Sequence, residues 1–109
     1  MSAVDFGDRL ASLRTAFLDD LAGQRPAVTA ALMKADTLGA AAGERALLVK
    51  VTHSLSGRGG TFGYPELSEK AGALYALLDA QSRDVQALRM AARALLTSIA
   101  RILDPPPRG

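Results

Sequence analysis

The clearest structural signal in this chain is the stretch VQALRMAARALLTSIARIL, residues 85–103. Its apolar residues follow one another at spacings of 3, 4, 3, 4 and 3: Val85, Leu88, Ala92, Leu95, Ile99 and Ile102. This repeat averages about 3.5 residues, which places the six side chains on one helix face and favours packing against a nearly parallel neighbour. Asp104 and the prolines at 105–107 end the helix. The stretch therefore predicts an all-α protein.

Four further apolar stripes with helical spacing precede this one. They are Phe6, Leu10, Leu13 and Phe17; Val28, Leu32 and Ala35; Leu47, Leu48, Val51 and Leu55; and Leu67, Ala71, Leu74 and Leu78. We expect these side chains to form the core. Pro26 either begins a new helix or kinks a continuing one, residues 37–39 end that helix, and Ser82 or Asp84 caps the last one. Amphipathic helices joined by short loops predict an antiparallel up-and-down bundle.

The length and composition fit one domain. The chain has 109 residues, enough for a single hydrophobic core and too few for two. We interpret residues 1–109 as one domain with a proline-rich tail at 105–109. Because the apolar stripes are sufficient for a closed core, we expect a monomer.

Several classes of protein are disfavoured by the composition. The chain has no cysteine, which excludes disulfides and thiolate metal sites. Net charge is +2 with the two signs interspersed, so no basic surface for nucleic acid or membrane is predicted. The N-terminus lacks the basic and apolar blocks of a signal peptide, and no apolar run approaches the roughly 20 residues of a membrane span. We therefore expect a cytoplasmic protein.

His53, the only histidine, is the leading candidate for a functional residue. At about 100° per helical residue it lies about 200° from Val51 and about 160° from Leu55, so it faces away from the core stripe. Its neighbours on that outward face are Lys50, Ser56, Gly57 and Gly60. Three of these four are small, which leaves the imidazole open to a bulky reaction partner.

The glycines near His53 have two interpretations. Gly57, Gly59, Gly60 and Gly63 fall within seven residues, which is typical of an ordinary loop. If the first three are helical, each costs about 1 kcal/mol relative to alanine. A helix that tolerates that cost indicates a need for side chains to be absent. Because neutral imidazole is a nucleophile available near physiological pH, the open face and the nucleophile together predict a reactive site.

Other kinds of site fit the sequence less well. The glycine stretch lacks the Gly-Lys-Ser/Thr ending and the preceding strand of a phosphate-binding P-loop. A metal site would have to combine one histidine with carboxylates alone. A serine–histidine–aspartate triad stays open, although the chain has no Gly-x-Ser-x-Gly elbow.

The segment His53-Ser54-Leu55-Ser56-Gly57, followed by Gly63 ten residues after the histidine, resembles the phosphorylation site of histidine-containing phosphotransfer (HPt) domains. That family has roughly His-x-Leu-Lys-Gly and then a glycine at this spacing. Phe62 matches an apolar position of the family. The resemblance covers about residues 44–79; elsewhere it depends on helix pattern and length.

The resemblance implies a four-helix bundle with an additional N-terminal helix. It implies that His53 accepts a phosphoryl group within a two-component phosphorelay and exchanges it with the aspartate of a response regulator's receiver domain or of a hybrid histidine kinase. Such a protein carries the phosphoryl group and is not an autonomous kinase. It needs no cofactor of its own, since the receiver supplies Mg²⁺. The docking surface would be a clearing formed by Gly57, Gly60, Gly63 and Tyr64.

One residue departs from the family pattern. The lysine three residues after the histidine is Ser56 here. We expect Lys50, Ser56 and Arg58 to stabilise the phosphoryl group, Ser56 through its hydroxyl. The loss of the lysine also leaves a second interpretation open, in which the chain is a non-catalytic HPt-like adaptor that binds a partner without accepting phosphate.

Overall fold

The structure, a computed structural model, describes residues 3–36 and 42–105, with side chains over 6–36 and 43–105. The described residues contain four helices and no strand: α1 (Ala3–Met33), α2 (Ala42–Thr61), α3 (Pro65–Asp79) and α4 (Val85–Leu103). The all-α class is therefore confirmed. The predicted end of a helix at 37–39 and the end of the tail, 106–109, lie outside the described residues.

The core is built from one face of each helix. Each helix packs against the next in the chain, and α1 also packs against α4. In α3 the whole predicted stripe is buried: Leu67, Ala71, Leu74 and Leu78. In α4 the predicted stripe forms the core with Leu88, Ala92, Leu95 and Ile99, and Val85 and Ile102 pack against its edge. The spacing of apolar residues thus correctly predicted which faces of these two helices are buried.

The first helix runs unbroken through Pro26. Of the two possibilities for Pro26, the continuing helix is the one observed. Leu21 and Val28, two turns apart on either side of Pro26, are both fully buried on one face, while Pro26 itself is exposed. Core contacts on both sides hold the helix together and offset the missing backbone hydrogen bond of the proline. Within the described residues, no separate helix precedes the four.

The beginning of α1 projects from the bundle, contrary to expectation. Phe17 is fully buried, whereas Phe6, Leu10 and Leu13 are about half exposed or more, at 60%, 49% and 51%. Phe17 stacks on Phe62, at the end of α2. Residues before Phe17 therefore extend past the end of α2. The assignment of Phe6, Leu10 and Leu13 to the core is wrong because a long helix continues beyond its shorter neighbour.

Leu47 is a second correction. It was expected in the core with Leu48, yet it is 54% exposed while Leu48 is buried. Leu47 lines a shallow cavity between α1 and α2, and the α1 residues that line this cavity are the small side chains Ala27, Ala30 and Ala31, which leave Leu47 partly uncovered.

The turn between α2 and α3 and the beginning of α4 each depend on one particular residue. Gly63 has a φ of +89°, in the left-handed region that favours glycine, and it turns the chain between α2 and α3. The carboxylate of Asp84 accepts a hydrogen bond of 3.1 Å from the backbone N–H of Ala87, which confirms Asp84 as the N-cap of α4.

Among the described residues, no helix combines the length and apolarity that crossing a bilayer requires.

Candidate functional site

His53 lies on the outward face of α2, as predicted. Its side chain is exposed, while Val51 and Leu55 on either side of it in sequence are 5% and 1% exposed. The helix continues from Ala42 to Thr61, so His53 is near its middle and is held by regular backbone hydrogen bonding. A rigid helix thus presents an accessible imidazole.

Gly57 and Gly60 flank His53 on the same exposed face. The structure has both of them within α2, so the loop interpretation of the glycine stretch does not apply here. Apart from the adjacent residues and the local backbone of α2, a Cβ atom added at either position would meet no atom within 4 Å. Packing within the chain therefore gives no reason for glycine at these positions, although each costs about 1 kcal/mol of helix stability. The face around His53 is therefore open to a partner that approaches it from outside.

Gly59 is different, because packing requires it. It is buried between α2 and α3, where an added Cβ would lie 2.9 Å from the backbone N of Ser68 and 3.1 Å from the carbonyl oxygen of Tyr64. Backbone atoms of this kind cannot move aside without separating the helices. Gly59 therefore allows α2 and α3 to approach each other closely.

The two kinds of glycine predict opposite effects of alanine on stability. Gly60→Ala should raise the free energy of unfolding by about 1 kcal/mol through helix propensity. Gly59→Ala should lower it by about 1–2 kcal/mol, because overpacking exceeds the same gain. Urea denaturation of both variants measures the difference. Equal gains at the two positions would contradict the close α2–α3 packing.

Ser56 points toward α3 instead of toward solvent. It is half-buried, and its Oγ would lie 3.3 Å from a Cβ added at Gly72 of α3. Its backbone carbonyl accepts a hydrogen bond from the Ser68 hydroxyl. Ser56 therefore belongs to the α2–α3 contact as well as to the neighbourhood of His53.

Arg58 is engaged on the other side of α2. Its guanidinium donates a hydrogen bond of 3.2 Å to Asp20 of α1 and lies over the rings of Phe17 and Phe62, 5.2 Å and 5.9 Å from their centroids. The structure does not bring this side chain to His53. The expected role of Arg58 at a phosphoryl group has no support from this arrangement, since Asp20 and the two rings already hold the cation.

Lys50 keeps the position expected of it. It is exposed one turn before His53 on the same face. Of the two cations predicted to stabilise the phosphoryl group, Lys50 and Arg58, Lys50 is the one that lies on the His53 face in the described structure. A lysine ammonium there can reach a negatively charged group bound at the imidazole.

Gly63 and Tyr64 have structural roles. Gly63 provides the left-handed turn described above. The ring of Tyr64 stacks on Phe17 at 6.0 Å, and its backbone N–H donates to the carbonyl of Gly59 at 2.8 Å. Phe62 also packs into this end of the bundle, as expected, with its ring 4.8 Å from that of Phe17. A contribution of Gly63 and Tyr64 to docking stays a prediction.

Tyr75 also contacts His53, and the sequence pattern did not predict this. Its ring centroid lies 5.2 Å from that of His53, with the two planes inclined by 42°. Tyr75 belongs to α3, and its sequence position alone gives no sign of the contact. Aligning α2 and α3 as antiparallel neighbours through Gly59 and Ser68 would have identified it.

The described residues contain no group of three or more histidine, cysteine, aspartate or glutamate side chains arranged to hold a metal ion. No known family model, curated protein or solved structure matches the chain.

Proposed function

We propose that this chain is a histidine phosphotransfer protein of a two-component phosphorelay, with His53 as its phosphoryl acceptor. One observation carries the proposal. An exposed histidine in the middle of a rigid helix is flanked on its own face by Gly57 and Gly60, two helical glycines that packing does not require. This is the arrangement needed when a second protein must bring a reactive group close to the imidazole.

The reaction is a phosphoryl exchange between two side chains. A ring nitrogen of neutral His53 attacks the phosphorus of a receiver's aspartyl phosphate, an N–P bond forms, and the P–O bond to the carboxyl group breaks. The departing carboxylate keeps the electron pair. Such transfers depend mainly on alignment and on stabilisation of the spread negative charge. The rigid helix aligns the nucleophile, and the receiver contributes Mg²⁺ with its acidic pocket.

This chain's own electrostatic contribution would come mainly from Lys50. Lys50 lies on the His53 face, whereas Arg58 is held by Asp20 and Ser56 faces α3. The family pattern has a lysine where Ser56 stands, one turn after the histidine. In this chain the cation would instead be Lys50, which approaches the phosphoryl group from one turn before the histidine. We expect transfer to depend on Lys50 more than on Ser56 or Arg58.

The finer topology belongs to the same proposal. We infer an antiparallel up-and-down bundle, supported by two ion pairs. Asp20 in the middle of α1 pairs with Arg58 near the end of α2, and Lys34 just after α1 pairs with Glu44 at the start of α2. The additional N-terminal helix of the family would correspond to the projecting first half of α1. We further propose that the protein is a monomer that acts in the cytoplasm. Its partners would be receiver domains, and it would bind neither nucleic acid nor membrane.

Blocking the open face should slow transfer without harming the fold. Gly57→Leu places a large side chain one turn from His53, where a partner must approach, and we expect transfer to slow by about tenfold or more. Stability should stay equal or rise, because leucine is the better helix former. Gly23→Leu is the matched control, since Gly23 is also helical, exposed and without neighbours within 4 Å, but lies on α1. Equal slowing by both variants would contradict the proposed docking face.

The experiment that tests the function is transfer from a phosphorylated receiver. Receiver domains carrying radiolabelled aspartyl phosphate are mixed with the purified chain, and the label is followed after separation. We expect at least one receiver to transfer its label to the chain. The transferred label should be labile to acid and stable to base. Binding of a receiver with no transfer of label would instead support the non-catalytic adaptor.

A further inference from the structure

The imidazole of His53 touches one aromatic ring, that of Tyr75. The ring centroids are 5.2 Å apart and the planes are inclined by 42°, within the range of favourable aromatic pairs. His53 is otherwise exposed, and Tyr75 is half-buried in α3. One side of the imidazole is therefore covered, while the side toward Gly57 and Gly60 is open.

The close approach of α2 and α3 produces this contact. Gly59 has no side chain at the point where the backbone of Tyr64 and Ser68 passes closest to α2. Gly72 of α3 likewise leaves room for the Ser56 hydroxyl. His53 is one turn before Ser56, and Tyr75 is one turn after Gly72. Because α2 and α3 run in opposite directions, one turn back along α2 and one turn forward along α3 reach the same height along the helix pair. The register that pairs Ser56 with Gly72 therefore also pairs His53 with Tyr75.

Tyr75 contributes little to the core itself. Leu74 and Leu78 of α3 are at most 3% exposed and anchor that helix, whereas Tyr75 lies at the margin of the bundle. Its ring can be removed without opening the interior. The position is thus better explained by what the ring contacts, which is the proposed nucleophile.

We propose that Tyr75 is a positioning residue for phosphoryl transfer at His53. The inference rests on the proposed function and deepens it. The tyrosine ring restricts rotation of the imidazole and holds its nucleophilic nitrogen toward the open face, where the phosphorus arrives. The ring provides this restriction, and the hydroxyl is not needed. An unrestrained imidazole would sample other rotamers and meet the phosphorus less often in line.

The test separates positioning from binding. The variants Tyr75→Ala and Tyr75→Phe are compared with wild type by rapid-quench transfer from the phosphorylated receiver, at saturating receiver, with receiver affinity measured independently. Tyr75→Ala should lower the first-order transfer rate by roughly fivefold, since an aromatic pair of this kind is worth about that factor. Its affinity for the receiver should be unchanged, and Tyr75→Phe should retain the rate within about twofold.

A second measurement needs no receiver. The NMR order parameter of the His53 ring should fall in Tyr75→Ala and stay at the wild-type value in Tyr75→Phe. An unchanged transfer rate in Tyr75→Ala, a loss confined to receiver affinity, or an equal loss in Tyr75→Phe would overturn the positioning role. A wild-type chain that takes no label from any receiver would overturn the proposed function itself, which these variant comparisons distinguish from a failure of Tyr75 alone.

Discussion

His53→Gln should abolish acceptance of the phosphoryl group. Glutamine keeps a polar side chain on the exposed face but has no ring nitrogen that can form the N–P bond. Because His53 is exposed and contacts the Tyr75 ring only at the bundle margin, the free energy of unfolding should fall by no more than about 1.5 kcal/mol, the upper value of such an aromatic pair. Label transfer and urea denaturation of the same preparation measure both quantities.

Lys70→Gln is the control for this variant. Lys70 lies on α3 and is partly exposed, and its nearby carboxylate is Glu69, its neighbour in sequence. The same kind of replacement there should leave transfer unchanged. Label that survives on His53→Gln at the wild-type level would show that another residue accepts the phosphoryl group.

Phe17→Ala should cause the largest loss of stability in the chain, about 3–5 kcal/mol. Phe17 is fully buried and stacks on Phe62 and Tyr64, and the Arg58 guanidinium lies over its ring. Alanine leaves a cavity where the end of α2, the start of α3 and α1 meet. Because a domain of this size has only about 5–15 kcal/mol in total, a substantial fraction of the variant should unfold at modest urea concentration.

Phe6→Ala is the matched control on the same helix. Phe6 carries the same side chain in the same apolar stripe but is 60% exposed, so its loss should cost no more than about 0.5 kcal/mol. Equal destabilisation by the two variants would show that the beginning of α1 packs against the bundle in solution.

The contrast between Phe6 and Phe17 also marks the limit of what the sequence could predict. Periodicity identifies which face of a helix is apolar, and in α3 and α4 that was enough to locate the buried residues. It carries no information on where a neighbouring helix ends. Phe6, Leu10 and Leu13 continue the stripe of Phe17 without a break in spacing, so their exposure could be recognised only once α2 was seen to end near Phe62.

The site was predictable to a similar extent. The helical wheel of α2 correctly turned His53 outward, because that depends only on the angle between residues of one helix. The surroundings of Ser56 and Arg58 depend on other helices: Gly72 brings α3 against Ser56, and Asp20 of α1 draws Arg58 away. The contact of Tyr75 with His53 has the same origin. Long-range partners of this kind follow from the register between helices, which a single sequence does not display.

The most direct test of the account is to locate the phosphorus. The uniformly ¹⁵N-labelled chain is mixed with a cognate receiver and a small-molecule phosphodonor, and ³¹P–¹⁵N correlation is recorded. We predict one N–P coupling to a ring nitrogen of His53, absent from His53→Gln and lost on acidification. Phosphorus bonded to oxygen of another side chain, or a receiver that binds and exchanges no phosphoryl group with the chain, would contradict the assignment of His53 as the acceptor.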